Sequence, residues 1–377
     1  MIKYYSFALF FFLIFIEAVA STSFAEANAL LKWKASFINH NNLILKSWNL
    51  DTKDSANLSS GPKSSSSPCN WFGVSCINGS VNRLNLTNAS IQAFFYEFPF
   101  SSFPNLAYID LSLNRLFGII PPQIGKFSKL VYLGLSTNQL IGTIPAQIGK
   151  LSKLNYLDLS TNQFTGQIPA SLSGLTSLRT LYLHINQHSG PIPPELGKLT
   201  TLQDLALSKN HLTGQIPALL SGLTSLRTLY LHINQLSGPI PPELGKLTTL
   251  QDLVLCKNHL TGQIPALLSG LTSLRTLYLH TNQLSGPIPP ELGKLTMLQD
   301  LALSKNHLTG QIPALLSRLT SIRTMHLYNN QLSGPIPPEL GKLTSLQDFG
   351  IEQKSSHGSN SSFIEQINLF KNFVSPY

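Results

Sequence analysis

The stretch Leu202-Gln203-Asp204-Leu205-Ala206-Leu207-Ser208-Lys209-Asn210-His211-Leu212-Thr213-Gly214-Gln215-Ile216-Pro217 decides the fold, because it recurs along most of the chain. Asparagine returns every 24 residues from Asn114 to Asn330, glycine from Gly118 to Gly334, and proline from Pro121 to Pro337. The unit reads L-x-x-L-x-L-x-x-N-x-L-x-G-x-I-P-x-x-L-x-x-L-x-x, and ten copies in fixed register make the period the first fact about the chain. In L-x-x-L-x-L the alternation has period two, which predicts a short strand with its leucines buried and its x residues pointing to solvent. The asparagine amide both donates and accepts, so it can satisfy backbone groups that a tight coil would bury unpaired. Glycine permits the bend that follows, and proline stands where no amide partner is needed. One coil buries too little to hold itself together, so stability has to come from its neighbours, as in any solenoid. Parallel strands about 4.8 Å apart then form a continuous sheet on the inner face.

Composition narrows the function. Lys+Arg is 26 against Asp+Glu 17, a formal charge of +9, yet charged residues are only 11% of the 377. The positive charge is scattered, without the clusters that phosphate backbones require, so nucleic acid is not an expected partner. Apolar residues make up 42%, enough for a core. Residues 1–25 carry Lys3, an apolar run from Phe7 to Ile16, and small residues suited to cleavage after Ala20 or Ala25. That is the pattern of a secretory signal peptide, too short to span a bilayer of about 30 Å. A secreted chain is expected, with a disulfide between Cys69 and Cys76, and Cys256 left over. Sugar acceptors of the form N-x-S/T occur at Asn57, Asn78, Asn85, Asn88 and Asn360.

The 24-residue frame with its L-x-G-x-I-P segment resembles the leucine-rich repeat of plant extracellular receptors. Ahead of it, Ala29-Leu30-Leu31-Lys32-Trp33-Lys34-Ala35-Ser36-Phe37, Leu45-Lys46-Ser47-Trp48 and Pro68-Cys69-Asn70-Trp71-Phe72-Gly73-Val74-Ser75-Cys76 resemble the amino-terminal cap of leucine-rich-repeat receptor-like kinases. The resemblance implies an α/β solenoid: a plant-type leucine-rich-repeat superhelix with a parallel sheet on the concave face and a helical amino-terminal cap. The expected organisation is a leader at 1–25, a cap at 26–80 that is helical over 26–48, and about twelve coils at 81–354. An irregular tail at 355–377, fitting no repeat, would follow. The family implies a role in cell-surface signalling, and relatives carry a membrane span and a Ser/Thr kinase domain. Neither is legible here, so the chain reads as an ectodomain cut short before the membrane. It would lie in the apoplast, or at the plasma membrane if a full-length form has an anchor.

From residue 154 a coarser period of 48 pairs two kinds of coil. One presents Thr180, Tyr182 and His184; the other presents Asp204, Ala206, Ser208 and Lys209. Stacking gives columns of Tyr182, Tyr230 and Tyr278, of His184, His232 and His280, of Asp204, Asp252 and Asp300, and of Lys209, Lys257 and Lys305. Tyrosine and histidine offer flat amphipathic contact area, and the charges orient a partner. These twelve are the candidate ligand-binding residues, for a peptide or protein ligand with a receptor kinase or co-receptor as further partner. The plainer alternative is that they are solvated strand residues copied by duplication.

No cofactor, metal or catalytic constellation is expected. Like histidines lie two strands apart, roughly 9.6 Å, too far for one column to close a zinc site with ligands at about 2.0–2.1 Å. Asp348-Phe349-Gly350 spells a kinase triplet, but it occupies the repeat slots of Asp204, Leu205 and Ala206. Cys256 fills the slot of Ser208 and Ser304, and His188 stands where sister coils have a buried leucine. Two other readings stay open. One is a secreted inhibitor of cell-wall hydrolases, similar to polygalacturonase inhibitors; the other is a fragment of a duplicated gene without function.

Overall fold

The structure, a computed structural model, describes residues 23–39, 42–50 and 67–351. The expected leader apart from residues 23–25, residues 51–66, the expected tail, and the acceptors Asn57 and Asn360 lie outside the described residues. The chain divides into two compact units at Thr165/Gly166, and each is a leucine-rich-repeat solenoid.

In the first unit, residues 23–35 are helical and carry Leu30 and Trp33 inward, with Phe37 following just beyond the helix. Trp33 meets Phe37 edge-on at 4.9 Å, and Trp48 stacks on Trp71 at 5.7 Å. Glu26 is fully buried and accepts from Ser80 Oγ at 2.6 Å and from the Val81 amide at 2.8 Å, which ties the helix to the first coil. Burial pushes its carboxyl pKa up. The cap is not helical to residue 48 as the sequence predicts: the helix stops at 35, and a separate 3-10 turn spans Leu43–Ser47. Asparagines explain the break. Asn39 accepts from the Gln92 amide at 3.1 Å; Asn42 caps the turn through the Ile44 amide and donates to the Ala89 carbonyl at 2.8 Å. Asparagine side chains compete with helical backbone bonding in this way. Cys69 and Cys76 are joined as a disulfide.

The first coil strand, Ser80–Asn85, pairs antiparallel with Val74–Ile77, so the sheet is not parallel throughout. Parallel strands Tyr108–Asp110, Tyr132–Gly134 and Tyr156–Asp158 follow in unshifted register. The second unit has its own parallel front strands in every coil from Thr180–Tyr182 to Asp348–Gly350. Asp348-Phe349-Gly350 is thus a front strand, paired with Thr324–His326.

A second parallel sheet, which the repeat alternation does not announce, forms at the segment after the asparagine, as in His211–Gly214 and Gln235–Pro239. Gly214 ends its strand at φ +75°, a left-handed conformation that explains the invariant slot. The remaining side of each coil is a 3-10 turn such as Pro194–Lys198. Adjacent turns approach so closely that a Cβ on Gly197 would lie 2.0 Å from the Leu219 carbonyl oxygen.

The asparagines hold the coils together. Asn234 Oδ1 accepts from the Leu212 amide in the preceding coil, and its Nδ2 donates to the carbonyls of Leu207 and Leu231. Asn210, Asn258, Asn282 and Asn306 repeat the pattern. His188 fills its leucine slot with no exposure, its Nδ1 3.3 Å from the Gly166 carbonyl oxygen, and burial lowers its pKa to about 4. Since an unfolded histidine titrates near 6.5, the unfolded state takes up the proton first. Stability contributed by the neutral ring therefore falls as pH drops from about 6.5 towards about 4, by at most roughly 3 kcal/mol. His188→Leu should flatten the melting-temperature profile in that window; an unchanged slope on differential scanning calorimetry would contradict the assignment.

Candidate functional site

The front sheet exposes one face of every coil, and register decides what sits beside what. In the second unit Thr180 pairs with Asp204 and Asp204 with Thr228, so threonine and aspartate alternate in one column. Thr228 Oγ1 donates to Asp204 Oδ1 at 2.8 Å. In the next column Tyr182, Ala206, Tyr230, Val254, Tyr278 and Ala302 alternate large and small. Tyrosine and histidine of the same coil meet edge-on, at 5.7 Å for Tyr182 and His184, 6.1 Å for Tyr230 and His232, and 5.9 Å for Tyr278 and His280.

This alternation overturns one expectation. The x residues of the strands do not all face solvent: Ala206, Ser208, Val254, Cys256, Ala302 and Ser304 are buried. They sit in the troughs between larger rings, while the tyrosines and histidines are half-buried and form the surface. Lys209, Lys257 and Lys305 stand exposed just past the strands, each in a left-handed conformation with φ of 54–55°. Asp204, Asp252 and Asp300 are half-buried. The twelve candidates of this unit thus share one face, with the lysines along its margin.

Burial disfavours a charge on two of the imidazoles. Burial, followed by the charges of Lys209 and Lys257 among neighbouring groups, lowers the His232 pKa; burial and then Lys257 do the same for His280. The buried Nδ1 atoms of both rings have no hydrogen-bond partner among the described residues.

The first unit has a site that the sequence reading missed. Tyr108, Tyr132 and Tyr156 are neighbours in one column and stack with centroids 4.2 and 4.3 Å apart and planes within 13°. The Arg83 guanidinium covers the free face of Tyr108 at 3.5 Å from its centroid. Asp110, in the next column on the same strand as Tyr108, accepts from the hydroxyls of Tyr108 and Tyr132 at 3.3 Å each. The signal lies in the sequence as a tyrosine every 24 residues, at Tyr108, Tyr132 and Tyr156, directly before the second apolar position of the strand.

Three family models match parts of the chain: a leucine-rich repeat region over residues 81–260, a leucine-rich repeat N-terminal domain over 25–77, and leucine-rich repeats at 273–295 and 321–343. The MDIS1-interacting receptor like kinase 2 of Arabidopsis thaliana is 47% identical over 124 residues, which is 31% of this chain and 11% of that protein. The chain therefore spans only about a tenth of that relative's length. Among solved structures, the PEPR1–AtPEP1 complex superposes with a TM-score of 0.75 at 32% identity, over 87% of this chain and 48% of the other. The Arabidopsis receptor kinase HAESA ectodomain, in complex with an extended IDA peptide hormone, gives 0.74 at 32% identity, over 88% and 54%. HAESA with IDA and the co-receptor SERK1 gives 0.57 at 28%, over 86% and 65%.

Cys256 is buried in its trough and burial pushes its thiol pKa up, so it should resist alkylation by iodoacetamide in the native state and react on unfolding. Rapid native labelling, read by mass spectrometry, would show the front face to be more open than described. With cap, repeat frame and front sheet in agreement, the chain belongs to the leucine-rich-repeat family, and the similar proteins named above are plant receptor kinases and their ectodomains.

Proposed function

We propose that this chain recognises a peptide or protein ligand outside the cell, on the front sheet, as the ectodomain of a receptor-like protein. The observation that carries the reading is the front face of the second unit. It is a regular field of half-buried tyrosine and histidine rings seated over small residues, with Asp204, Asp252 and Asp300 inside it and Lys209, Lys257 and Lys305 at its margin. Rings held in place by neighbouring coils lose little entropy when a ligand lies across them. The receptor kinase HAESA, of similar fold, holds the IDA peptide hormone and does so together with a co-receptor; a co-receptor is accordingly the second partner in this reading.

The leader at 1–25, the disulfide and the N-x-S/T acceptors support an extracellular location. Of the acceptors within the described residues, Asn78 and Asn88 are exposed at left-handed turn positions, whereas Asn85 is half-buried and its Oδ1 accepts from Thr87 Oγ1 at 2.8 Å. Sugar is therefore proposed at Asn78 and Asn88 ahead of Asn85. Among the described residues no helix is long and apolar enough to cross a membrane.

The test selects binders from a displayed library of random peptides on the glycosylated, secreted chain. Tyr230→Ala, His232→Ala and Asp252→Ala together should reduce capture of the selected peptides by at least tenfold, with the sheet signal in circular dichroism unchanged. Full capture by the triple variant would refute the assignment.

A further inference from the structure

We propose that the front sheet of the second unit takes a polyproline-II segment laid along the stack of coils, with proline against the rings and a carboxylate at every third residue. The inference rests on the ligand-binding reading and names the class of peptide that this face accepts.

The period of the face selects the shape of the ligand. Tyrosine–histidine pairs stand in every second coil at Tyr182, Tyr230 and Tyr278, and His326 with Tyr328 continues them in reversed order. Between them the register seats the buried Ala206, Val254 and Ala302. With strands about 4.8 Å apart, the ring ridges recur at roughly 9.6 Å. A polyproline-II helix has three residues per turn and rises about 3.1 Å with each, so one edge of it returns every 9.3 Å or so, about one turn per ridge. The mismatch of about 0.3 Å per ridge accumulates to only about 1 Å over these ridges. A β-strand presents the same side every second residue, at about 6.6 Å, and is out of step by roughly 3 Å at the second ridge. Two turns of α-helix take about 10.8 Å and slip by about 1.2 Å at each ridge. Of the three, the polyproline-II form keeps a residue over every ring pair.

Hydrogen bonding points the same way, from a separate observation. The buried Nδ1 atoms of His232 and His280 have no partner among the described residues, and burial disfavours charge on either ring. An orphaned buried N–H is rarer than an orphaned acceptor, so the proton of each neutral ring is assigned to Nε2. The face then offers an N–H donor at alternate coils. A polyproline-II segment has no internal hydrogen bonds, so its carbonyls are free to accept, and proline brings no amide hydrogen that would need a partner. Such segments dock on aromatic surfaces and, being already stiff, lose little chain entropy there.

Charge complementarity sets the third residue of each turn. Lys209, Lys257 and Lys305 are exposed along one margin of the rings and recur at the same two-coil interval. Asp204, Asp252 and Asp300 lie along the other margin, half-buried, and Asp204 accepts from Thr228 Oγ1 at 2.8 Å. A three-residue period places one side chain of each turn on each edge of the helix, so carboxylates at that period meet the lysines and stay clear of the aspartates. Exposed ion pairs of this kind orient a partner more than they tighten it.

The probe is an end-labelled, blocked peptide of three Pro-Pro-Glu repeats, titrated against the intact secreted chain by fluorescence polarisation. Two controls have the same length and charge. One has glycine and serine in place of the prolines; the other keeps the composition but scatters the glutamates over all three edges. The repeat peptide should bind at least tenfold tighter than the glycine–serine control and at least threefold tighter than the scattered one. Ala206→Tyr with Val254→Tyr fills two troughs and should weaken the repeat peptide at least tenfold, with circular dichroism unchanged. The scaffold accepts rings in successive coils, as Tyr108, Tyr132 and Tyr156 show. Lys209→Glu, Lys257→Glu and Lys305→Glu alter only exposed side chains, and together should erase the preference over the scattered control. Equal binding of the repeat peptide and the glycine–serine control, full binding by the trough variant, or a preference that survives the lysine changes would overturn the inference. If library peptides still depend on Tyr230, His232 and Asp252 while the repeat peptide binds no better than its controls, the front-sheet reading stands and the polyproline-II inference falls. If the triple variant loses no selected or designed peptide, the reading itself falls, and the inference with it.

Discussion

One carboxamide per coil governs this structure. Each ladder asparagine accepts an amide hydrogen from the coil before it and donates to carbonyls of its own and the preceding coil, as Asn234 does with Leu212, Leu207 and Leu231. Those backbone groups turn inward where the chain leaves the front strand, out of reach of water, and a buried unpaired polar group costs about 1–3 kcal/mol. A leucine there would leave them unpaired; aspartate would accept but not donate. The requirement fixes where the asparagine stands relative to its front strand: the first coil is one residue longer than the rest, yet Asn114 still accepts from the Ile91 amide and donates to the Leu86 and Leu111 carbonyls. The repeat leucines of the inner coils, such as Leu205, Leu207, Leu212, Leu220 and Leu223, are then fully buried.

Fixed register has a second consequence, on the front face. Since every coil presents its strand at the same height, a side chain's neighbours are its counterparts 24 residues away, and bulk must alternate or stack. The second unit alternates, with rings of one coil closing over Ala206, Ser208, Val254 or Cys256 of the next. The first unit stacks, with three tyrosines in van der Waals register and a buried aspartate reading their hydroxyls. Two surfaces of different chemistry thus arise from one scaffold. The first packs phenol against phenol beside a carboxylate, and the second spreads rings, carboxylates and ammonium groups.

Much of this was legible in the residues themselves. The leucine alternation gave the front strand, the asparagine slot its hydrogen bonds, and the spacing of Leu30, Trp33 and Phe37 the buried side of the cap. What escaped depends on contacts between coils that no single repeat displays. Cys256 reads as a surface thiol until the rings of the coils on either side are placed beside it. Tyr108, Tyr132 and Tyr156 read as separate tyrosines until parallel register brings them within 4.3 Å. The second sheet lies in a segment whose glycine and proline suggest a turn. The cap helix ends early because Asn39 and Asn42 bond to the first coil, a tertiary contact that overrides local helical spacing.

The most direct test of the asparagine ladder is amide hydrogen exchange, resolved by residue in the second unit. The account predicts that the amides of Leu212, Leu236, Leu260 and Leu284, which donate to asparagine Oδ1 of the following coil, exchange as slowly as those of the front strands. If these four exchanged as fast as amides of the 3-10 turns while the front strands stayed protected, the asparagines would not be what holds the coils in step.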